Sequence, residues 1–421
     1  MCAKILALLG CFLFYASWQA ESDTSPEKAV PIHPENTQHL QSAFQKARQA
    51  MRMLSMDKLR EIYFSENKND LLKKRLKVYQ KNILPSLKSG IANHETISLD
   101  SNASAPEILN TAEYLSFVIL CETKLFHLNS DHEKALLAIP LVQDFMNTFS
   151  VIPAGSGMAA KYRVHYALNC LILRMIYDAS SAKELEEMIV SLDKSKKTIG
   201  FKKLILSEKR NTDQNIGNIL ETCIQKSPES RKFKEKAMKD LRSESFLAAL
   251  KNVSDGLFLK TENISFVSVA YTQKRKALET LKNSVSSTAL KLVQSSFTAP
   301  VYQKKYTSIV ESALQGIVRR LTNYYELSLM DISLNDLLTL SYLIKLHKLE
   351  HKNYPDKLSE LTRSGFRIPR DRFSEKSYHY KKLSKKGFRL WSVGPDQKDD
   401  SAGQYFSASS GEGDIFLKPL N

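Results

Sequence analysis

Apolar residues recur at steps of three and four between about residue 37 and residue 345, a spacing that predicts amphipathic helices. A clear start signal is the S-x-x-E capping box of Ser181 and Glu184, in which the serine binds first-turn amides and the glutamate reaches back. No segment repeats with a fixed period, which disfavours a helical-repeat architecture. Residues 37–332 are therefore predicted to form an irregular helical body of paired antiparallel helices, and its first apolar stripe comprises Leu40, Phe44, Ala47, Met51, Leu54, Leu59 and Ile62.

The last long apolar stretch predicts a helix that begins with a capping box at Ser333 and ends near His351, before a Tyr-Pro pair. At its end, His347, Glu350 and His351 spell H-x-x-E-H, the inverted zincin pattern of two zinc-binding histidines and a glutamate that activates water. A zinc hydrolase would need a third ligand, and the glutamates that follow stand in predicted turns and loops. The alternative is that the two histidines have no catalytic role and lie at the end of the helix, where a protonated imidazole interacts favourably with the negative end of the helix dipole.

Residues 333–421 combine this helix with short segments that alternate like hairpins, among them FRLWSVGPDQKDDSAG and GEGDIFLK. Their order resembles the C-terminal domain of the type II secretion major pseudopilin. The resemblance implies a scaffold helix, a Tyr-Pro turn with a short helix, a small antiparallel sheet and a loop of the form Ser-x-Gly-x-Asp that binds calcium. The residues that carry it are Tyr354, Pro355, Pro369, Asp371, Phe373, Tyr378, Tyr380, Phe388, Leu390, Ser392, Gly394, Asp396, Asp400, Gly413, Asp414 and Ile415.

The whole chain also resembles a group of exported planctomycete-type helical proteins that join a helical body to such a tail. The segments DHEKALLAIPLVQDF and SSAKELEEMIVSL carry this second resemblance. That group has no established activity to transfer. The chain lacks the pilin N-terminal signature, a Gly-Phe before a long apolar helix with a glutamate at its fifth position, so the resemblance does not imply assembly as an ordinary pilus subunit.

The C-terminal loop is a candidate site for a hard cation, because calcium takes six to eight oxygens from carboxylates and carbonyls at flexible geometry. The alternative for the same residues is an acidic turn held by Asx hydrogen bonds or by pairing with lysines. The predicted calcium ligands are the carboxylates of Asp396, Asp399, Asp400 and Asp414 and the carbonyls of Ser392 and Val393.

The N-terminus predicts export. Residues 1–20 contain Lys4 and then an apolar run of signal-peptide length, which is too short for a spanning helix, and residues 21–36 have the composition of a linker. The run Leu8 to Cys11 also resembles a lipobox, which would place a lipid on Cys11. The apolar segment is either cleaved or retained as a membrane anchor. In both cases the predicted location of the protein is the periplasm or cell envelope.

The net charge, the motifs and the cysteines limit the functions that the sequence supports. The formal charge of +16 predicts attraction to an anionic polymer or a lipid surface, although basic clusters are more often solvated helix faces. No nucleic-acid-binding signature accompanies the charge, and no nucleotide loop, dinucleotide fingerprint or Ser-His-Asp order is present. Cys121, Cys170 and Cys223 lie in helix-like stretches and predict buried thiols with at most one disulfide.

Together these features predict a mainly α protein, with an irregular helical body followed by a small α+β pseudopilin-like C-terminal domain that contains an antiparallel sheet. The predicted function is that of a non-enzymatic exported cell-envelope protein with a calcium-stabilised tail, mediating protein–protein or surface interactions. The alternative is an envelope zinc hydrolase that uses H-x-x-E-H.

Overall fold

The computed structural model describes residues 38–65, 68–92, 105–149, 155–194, 201–266, 270–364, 368–383, 387–406 and 412–418. The predicted signal peptide 1–20, Cys11 and the linker 21–36 lie outside these described residues. Within them the fold is mainly α with a small three-stranded antiparallel sheet near the C-terminus, as the sequence predicts.

The described residues divide into two compact units. The first unit contains helices α1–α8, the part of helix α13 from Met330 onward and everything that follows. Its eight N-terminal helices are α1 (Gln38–Met53), α2 (Met56–Phe64), α3 (Asn69–Asn82), α4 (Leu84–Ala92), α5 (Ala105–Leu128), α6 (His132–Phe149), α7 (Gly155–Asp178) and α8 (Ala182–Lys194).

Helix α5 forms the centre of the first unit and contacts α1, α2, α3 and α6. Because it is apolar almost all round, its side chains from Tyr114 to Cys121 are nearly all buried. The polar residues on it are buried with partners: Glu113 accepts from Arg60 and Arg163, and Lys124 donates to the Tyr63 carbonyl at 2.7 Å. Paired burial of this kind avoids the cost of an isolated charge in the core.

The capping box predicted at Ser181 forms at the start of α8. The Ser181 hydroxyl accepts from the Glu184 amide at 3.3 Å, and the Glu184 carboxylate accepts from the Ser180 amide at 2.9 Å. Ser55 caps α2 in the same way through the Lys58 amide, which separates α1 from α2 within the first predicted apolar stretch. Each serine fills an otherwise unsatisfied first-turn donor, so these helix starts are determined locally.

The three cysteines among the described residues are free. Cys121 and Cys170 are buried, as predicted, and Cys223 is partly exposed. Burial raises the pKa of the Cys121 and Cys170 thiols to about 12, so both are neutral at physiological pH.

The second unit contains α9 (Phe201–Lys226), α10 (Arg231–Leu241), α11 (Glu244–Phe266), α12 (Tyr271–Ser296) and residues 300–329 of α13 (Pro300–His351). A buried carboxylate organises part of its core. Glu208 is 3% exposed and accepts from Arg320 Nε at 2.8 Å and from the Tyr324 hydroxyl at 3.1 Å. The helices therefore join through a satisfied polar network as well as through apolar packing.

Helix α13 overturns one local prediction, because it runs without interruption from Pro300 to His351 and no helix begins at Ser333. Ser333 is fully buried inside the helix, and the Asp336 carboxylate accepts from the Tyr378 hydroxyl at 2.9 Å and from Arg372 Nε at 3.2 Å. The residues that resembled a capping box thus serve tertiary contacts, which a local pattern does not reveal.

Helix α13 is long and apolar enough to cross a membrane, alone among the helices of the described residues, and 56% of its most apolar window is buried within the protein. A core helix passes the same test of length and composition, so this feature is weak support for a membrane span.

After α13, a 3-10 helix (Leu358–Ser364) leads to β1 (His379–Leu383), β2 (Gly387–Ser392) and β3 (Ile415–Phe416). The strands are antiparallel in the order β1-β2-β3, with Tyr380 opposite Leu390 and Ser392 opposite Ile415. Phe388 on β2 stacks on Tyr177 of α7 at 5.3 Å and meets Tyr354 edge-on at 5.6 Å. These aromatic contacts fix the sheet against the helices of the same unit.

Candidate metal site in the C-terminal loop

Strand pairing determines where the acidic loop begins and ends. Ser392 closes β2 and Asp414 immediately precedes β3, so the pairing of Ser392 with Ile415 brings the two ends of the loop side by side. The backbone at these ends is too close for side chains: Gly394 has φ +67°, and a Cβ there would collide with the Gly413 carbonyl oxygen. Gly413 has φ +108°, which also favours glycine. Both glycines are thus required by the conformation that closes the loop.

Asp414 is fully buried at this point. Its Oδ2 accepts from the Ala402 amide at 2.8 Å, whereas its Oδ1 is shielded from solvent and has no hydrogen-bond partner. Burial raises the pKa of Asp414 to about 6; the backbone amides of Ala402 and Asp400 act in the opposite direction, and the nearby charges of Asp400 and Asp399 raise it further. The loop therefore presents an acceptor oxygen that lacks a donor, in a negative environment.

Asp396 ties the start of the loop to its end. Its Oδ1 accepts from the Lys398 amide at 3.1 Å and its Oδ2 accepts from the Gly413 amide at 3.0 Å. Asp400 is exposed, and its carbonyl accepts from the Gly403 amide at 2.9 Å. The Asp396 contacts are those of an Asx turn, so part of the acidic cluster follows the turn alternative.

Asp399 is held by the sheet. Its Oδ1 accepts from Trp391 Nε1 and from the Ser401 amide, both at 2.9 Å, and its Oδ2 lies 3.2 Å from His379 Nδ1. Partial burial raises the pKa of Asp399, but the hydrogen bonds from Trp391 and Ser401 and the neighbouring His379 outweigh burial and lower it. Asp399 is consequently ionised at neutral pH and already has partners for both oxygens.

Ser392 and Val393 face a different carboxylate. The Ser392 hydroxyl donates to Asp371 Oδ1 at 2.7 Å and the Val393 amide donates to Asp371 Oδ2 at 3.2 Å. The Phe373 amide and the Ser374 hydroxyl donate to the same carboxylate, each at 3.1 Å, and Asp371 is 1% exposed. Asp371 is the organising residue that the predicted ligand set omitted, although the Pro-Asp-Phe part of the pseudopilin resemblance contained it.

The loop thus brings Asp396, Asp400 and Asp414 into one neighbourhood and pairs Asp399 with Trp391 and His379. The Ser392 hydroxyl and the Val393 amide donate to Asp371, and the carbonyls of these two residues stay predicted ligands. No group of three or more His, Cys, Asp or Glu side chains arranged to hold a metal occurs among the described residues. The loop also contains residues 407–411, which lie outside the described ones. Asp414 suits a hard cation, because one of its buried carboxylate oxygens has no hydrogen-bond donor and two further carboxylates lie nearby.

The H-x-x-E-H motif lies on the last turn of α13. The His347 and His351 rings stack with centroids 4.2 Å apart, and their Nδ1 atoms lie 3.1 Å from the carbonyls of Asn353 and His347, respectively. Glu350 and His351 are exposed. The described residues supply no third metal-binding side chain to this motif. The zinc hydrolase stays a prediction with its two histidines on one helix face.

Comparison with known proteins gives no further identification: no protein family, curated protein or solved structure matches the chain.

Proposed function

We propose that the protein is a non-enzymatic, exported cell-envelope protein whose pseudopilin-like tail is stabilised by calcium and which mediates protein–protein or surface interactions. The observation that carries the calcium part is the buried Asp414 Oδ1, which has no hydrogen-bond partner. Above a pKa of about 6 this carboxylate is mostly ionised, and an ionised oxygen shielded from water needs a donor or a cation. Calcium prefers carboxylate and carbonyl oxygens, which the loop supplies.

Asp414, Asp396 and Asp400 would hold the ion, and the bound ion would supply positive charge that offsets their repulsion. Because the loop ends meet only when β2 and β3 pair, these oxygens come together only in the native state. A ligand that binds only the native state stabilises it by mass action, by about 2.7 kcal/mol at 100 times its dissociation constant. Calcium would thus act as a structural clip on the tail.

A calcium titration followed by tryptophan fluorescence tests this proposal. The chain has two tryptophans, so Trp18→Phe leaves Trp391 as the sole reporter. Trp391 donates to Asp399 within the loop and is 6% exposed, which makes it sensitive to a change there. We expect a saturable response to calcium, but not to magnesium, in the chelator-stripped chain. Asp414→Asn should abolish the response.

The matched control is Asp57→Asn, which makes the same charge change at a side chain that is 92% exposed on α2. It should respond to calcium like the parent chain. An unchanged emission in the folded parent chain, or an equal response in Asp414→Asn, would overturn the calcium part of the proposal.

Export rests on the composition of residues 1–20. Mass spectrometry of the protein recovered from the envelope of a bacterial host should show that the apolar segment has been removed, with cleavage near Ala20, or that a lipid is attached at Cys11. An unmodified chain that begins at Met1 and is found only in the cytoplasm would contradict export.

Surface interaction rests on the charge of +16 and on exposed basic side chains such as Lys73, Lys74 and Lys77 of α3. Retention of the protein on vesicles with anionic headgroups should fall as salt is raised, because exposed charges are screened within about 10 Å at 0.1 M. Equal retention on neutral and anionic vesicles would remove the electrostatic part of the proposal.

A further inference from the structure

The corner between α5 and α6 has a defined backbone geometry. The Asp131 amide donates to the Phe126 carbonyl and the Ser130 amide donates to the His127 carbonyl, both at 2.9 Å, with Ser130 at φ 61°. This pair of bonds with one left-handed residue is the Schellman termination of a helix. Asp131 then starts α6, since its Oδ1 accepts from the Lys134 amide at 3.4 Å. The turn therefore fixes the last residues of α5 relative to the first residues of α6.

His127 lies on the α5 side of this corner and is 6% exposed. Its Nε2 is 2.9 Å from Asp178 Oδ2 at the end of α7, and the same oxygen accepts from Arg174 Nε at 2.7 Å. Because a carboxylate only accepts, Nε2 of the neutral ring carries the proton and Nδ1 carries the lone pair. Nδ1 is shielded from solvent and has no hydrogen-bond partner.

His132 opens α6 on the other side of the corner. Its Nδ1 is also shielded from solvent and without a hydrogen-bond partner, and its ring centroid lies 5.3 Å from that of His127. Two adjacent imidazoles, each with an unsatisfied nitrogen, are unusual in a folded interior, where such groups normally find partners. A carboxylate on the far nitrogen of a buried histidine is also the usual support of a metal-binding imidazole, because it fixes the tautomer and the ring orientation.

We propose that His127 and His132 bind a divalent transition-metal ion in tetrahedral geometry, such as zinc, through their Nδ1 atoms at the α5–α6 corner. The ring separation is compatible with a tetrahedral ion shared by the two rings. Two imidazoles on a tetrahedral ion with metal–nitrogen bonds of about 2.0–2.1 Å have centroids about 5.2 Å apart, and a square-planar arrangement brings them to about 4.5 Å. The observed 5.3 Å matches the tetrahedral value.

The surrounding charges are compatible with a cation. Asp178 faces His127 and is shared with Arg174, Asp131 is paired with Lys134, and Glu133 follows His132 on α6. Burial lowers the pKa of His127, in spite of Asp178, and keeps its ring neutral at physiological pH, as a metal ligand requires. No third metal-binding side chain completes the set among the described residues, so water would fill the remaining positions.

Zinc titration of the chelator-stripped full chain by calorimetry tests the proposal, and cobalt absorption reports the coordination geometry. We expect one zinc ion per chain and an intense tetrahedral cobalt spectrum that zinc abolishes. His132→Asn and His127→Gln, measured separately, should each weaken zinc binding at least tenfold. The matched control is the double variant His347→Asn, His351→Asn, which removes the other neighbouring histidine pair and should bind zinc like the parent chain.

Circular dichroism of each variant verifies that the helices persist, and His132→Asn is expected to fold because His132 is not fully buried. Absence of zinc binding by the parent chain would overturn the proposal. So would unchanged binding in the folded His132→Asn variant, or loss of binding in the control variant, which would instead assign zinc to H-x-x-E-H. A weak cobalt absorption typical of octahedral coordination would contradict the tetrahedral geometry.

Discussion

Asp414→Asn is the most informative single substitution, because it keeps the shape of the side chain and removes the charge. The native pKa of Asp414 is about 6, against about 3.8 for an unperturbed aspartate. A difference of about 2 units corresponds to about 3 kcal/mol between the two protonation states. In the absence of calcium at pH 7, the ionised side chain therefore destabilises the native state, and the variant should be more stable than the parent by up to about 3 kcal/mol.

The sign of the pH dependence follows from the raised native pKa. The native state holds the proton more tightly than the unfolded state, so the stabilising contribution is fully present below pH 3.8 and is lost as the pH rises through 6. Between pH 7 and pH 5 the parent chain in chelator should gain about 1.4 kcal/mol of unfolding free energy relative to Asp414→Asn. The difference between the two chains cancels the contributions of other titrating groups.

Urea denaturation in the Trp18→Phe background, followed through Trp391, measures these free energies. With calcium at about 1,000 times its dissociation constant the order should reverse, because calcium then stabilises the parent chain by about 4.1 kcal/mol and does not stabilise the variant. A variant that is less stable than the parent in chelator at pH 7 would refute the assignment of Asp414 as a destabilised buried carboxylate. A difference that does not change between pH 5 and pH 7 would refute it equally.

Two further substitutions in the same part of the fold, each with a comparison variant, are tested by circular dichroism in urea. Asp371→Ala leaves four donors without their acceptor, three of them buried, and should cost at least about 3 kcal/mol. Ser392→Ala removes one of these bonds and the bond from the Gly394 amide to the Ser392 hydroxyl, and should cost about 1–2 kcal/mol; equal costs would show that Asp371 does not organise the loop. Gly394→Ala should lower the unfolding free energy by more than about 1 kcal/mol, because φ at this position is positive and the added Cβ meets the Gly413 carbonyl. Gly316→Ala, where the added Cβ meets nothing on α13, should raise the unfolding free energy by about 0.5–1 kcal/mol. An unchanged stability of Gly394→Ala would contradict the close approach of the two loop ends.

Local chemistry accounts for the parts of the fold that the sequence predicts well. The Ser181 cap, the buried stripe of α1 and the helix end before Tyr354 depend on residues close together in the chain, so spacing and residue type suffice. The order of short strands near the C-terminus was also predictable, since alternating polar and apolar residues follow the pleat of a sheet.

The prediction of a helix start at Ser333 failed because a local signal has a second use. Asp336 has the residue type of a capping position, yet its carboxylate binds Tyr378 and Arg372, which come much later in the chain. The first unit is likewise discontinuous along the chain, since it joins α1–α8 to the residues from Met330 onward. Neither the contacts of Asp336 nor the discontinuity of the first unit can be recognised from residues that are close together in the sequence.

For the candidate sites, the sequence determined which residue types are available, and the tertiary structure decided which of them lack partners. The acids of the C-terminal loop are visible in the chain, but only the folded loop distinguishes Asp399, with both oxygens occupied, from Asp414, with one oxygen buried and unpartnered. His127 and His132 form no recognisable motif until a turn places their rings together. Hydrogen-bond satisfaction depends on groups brought together from distant segments, and residue type alone does not record it.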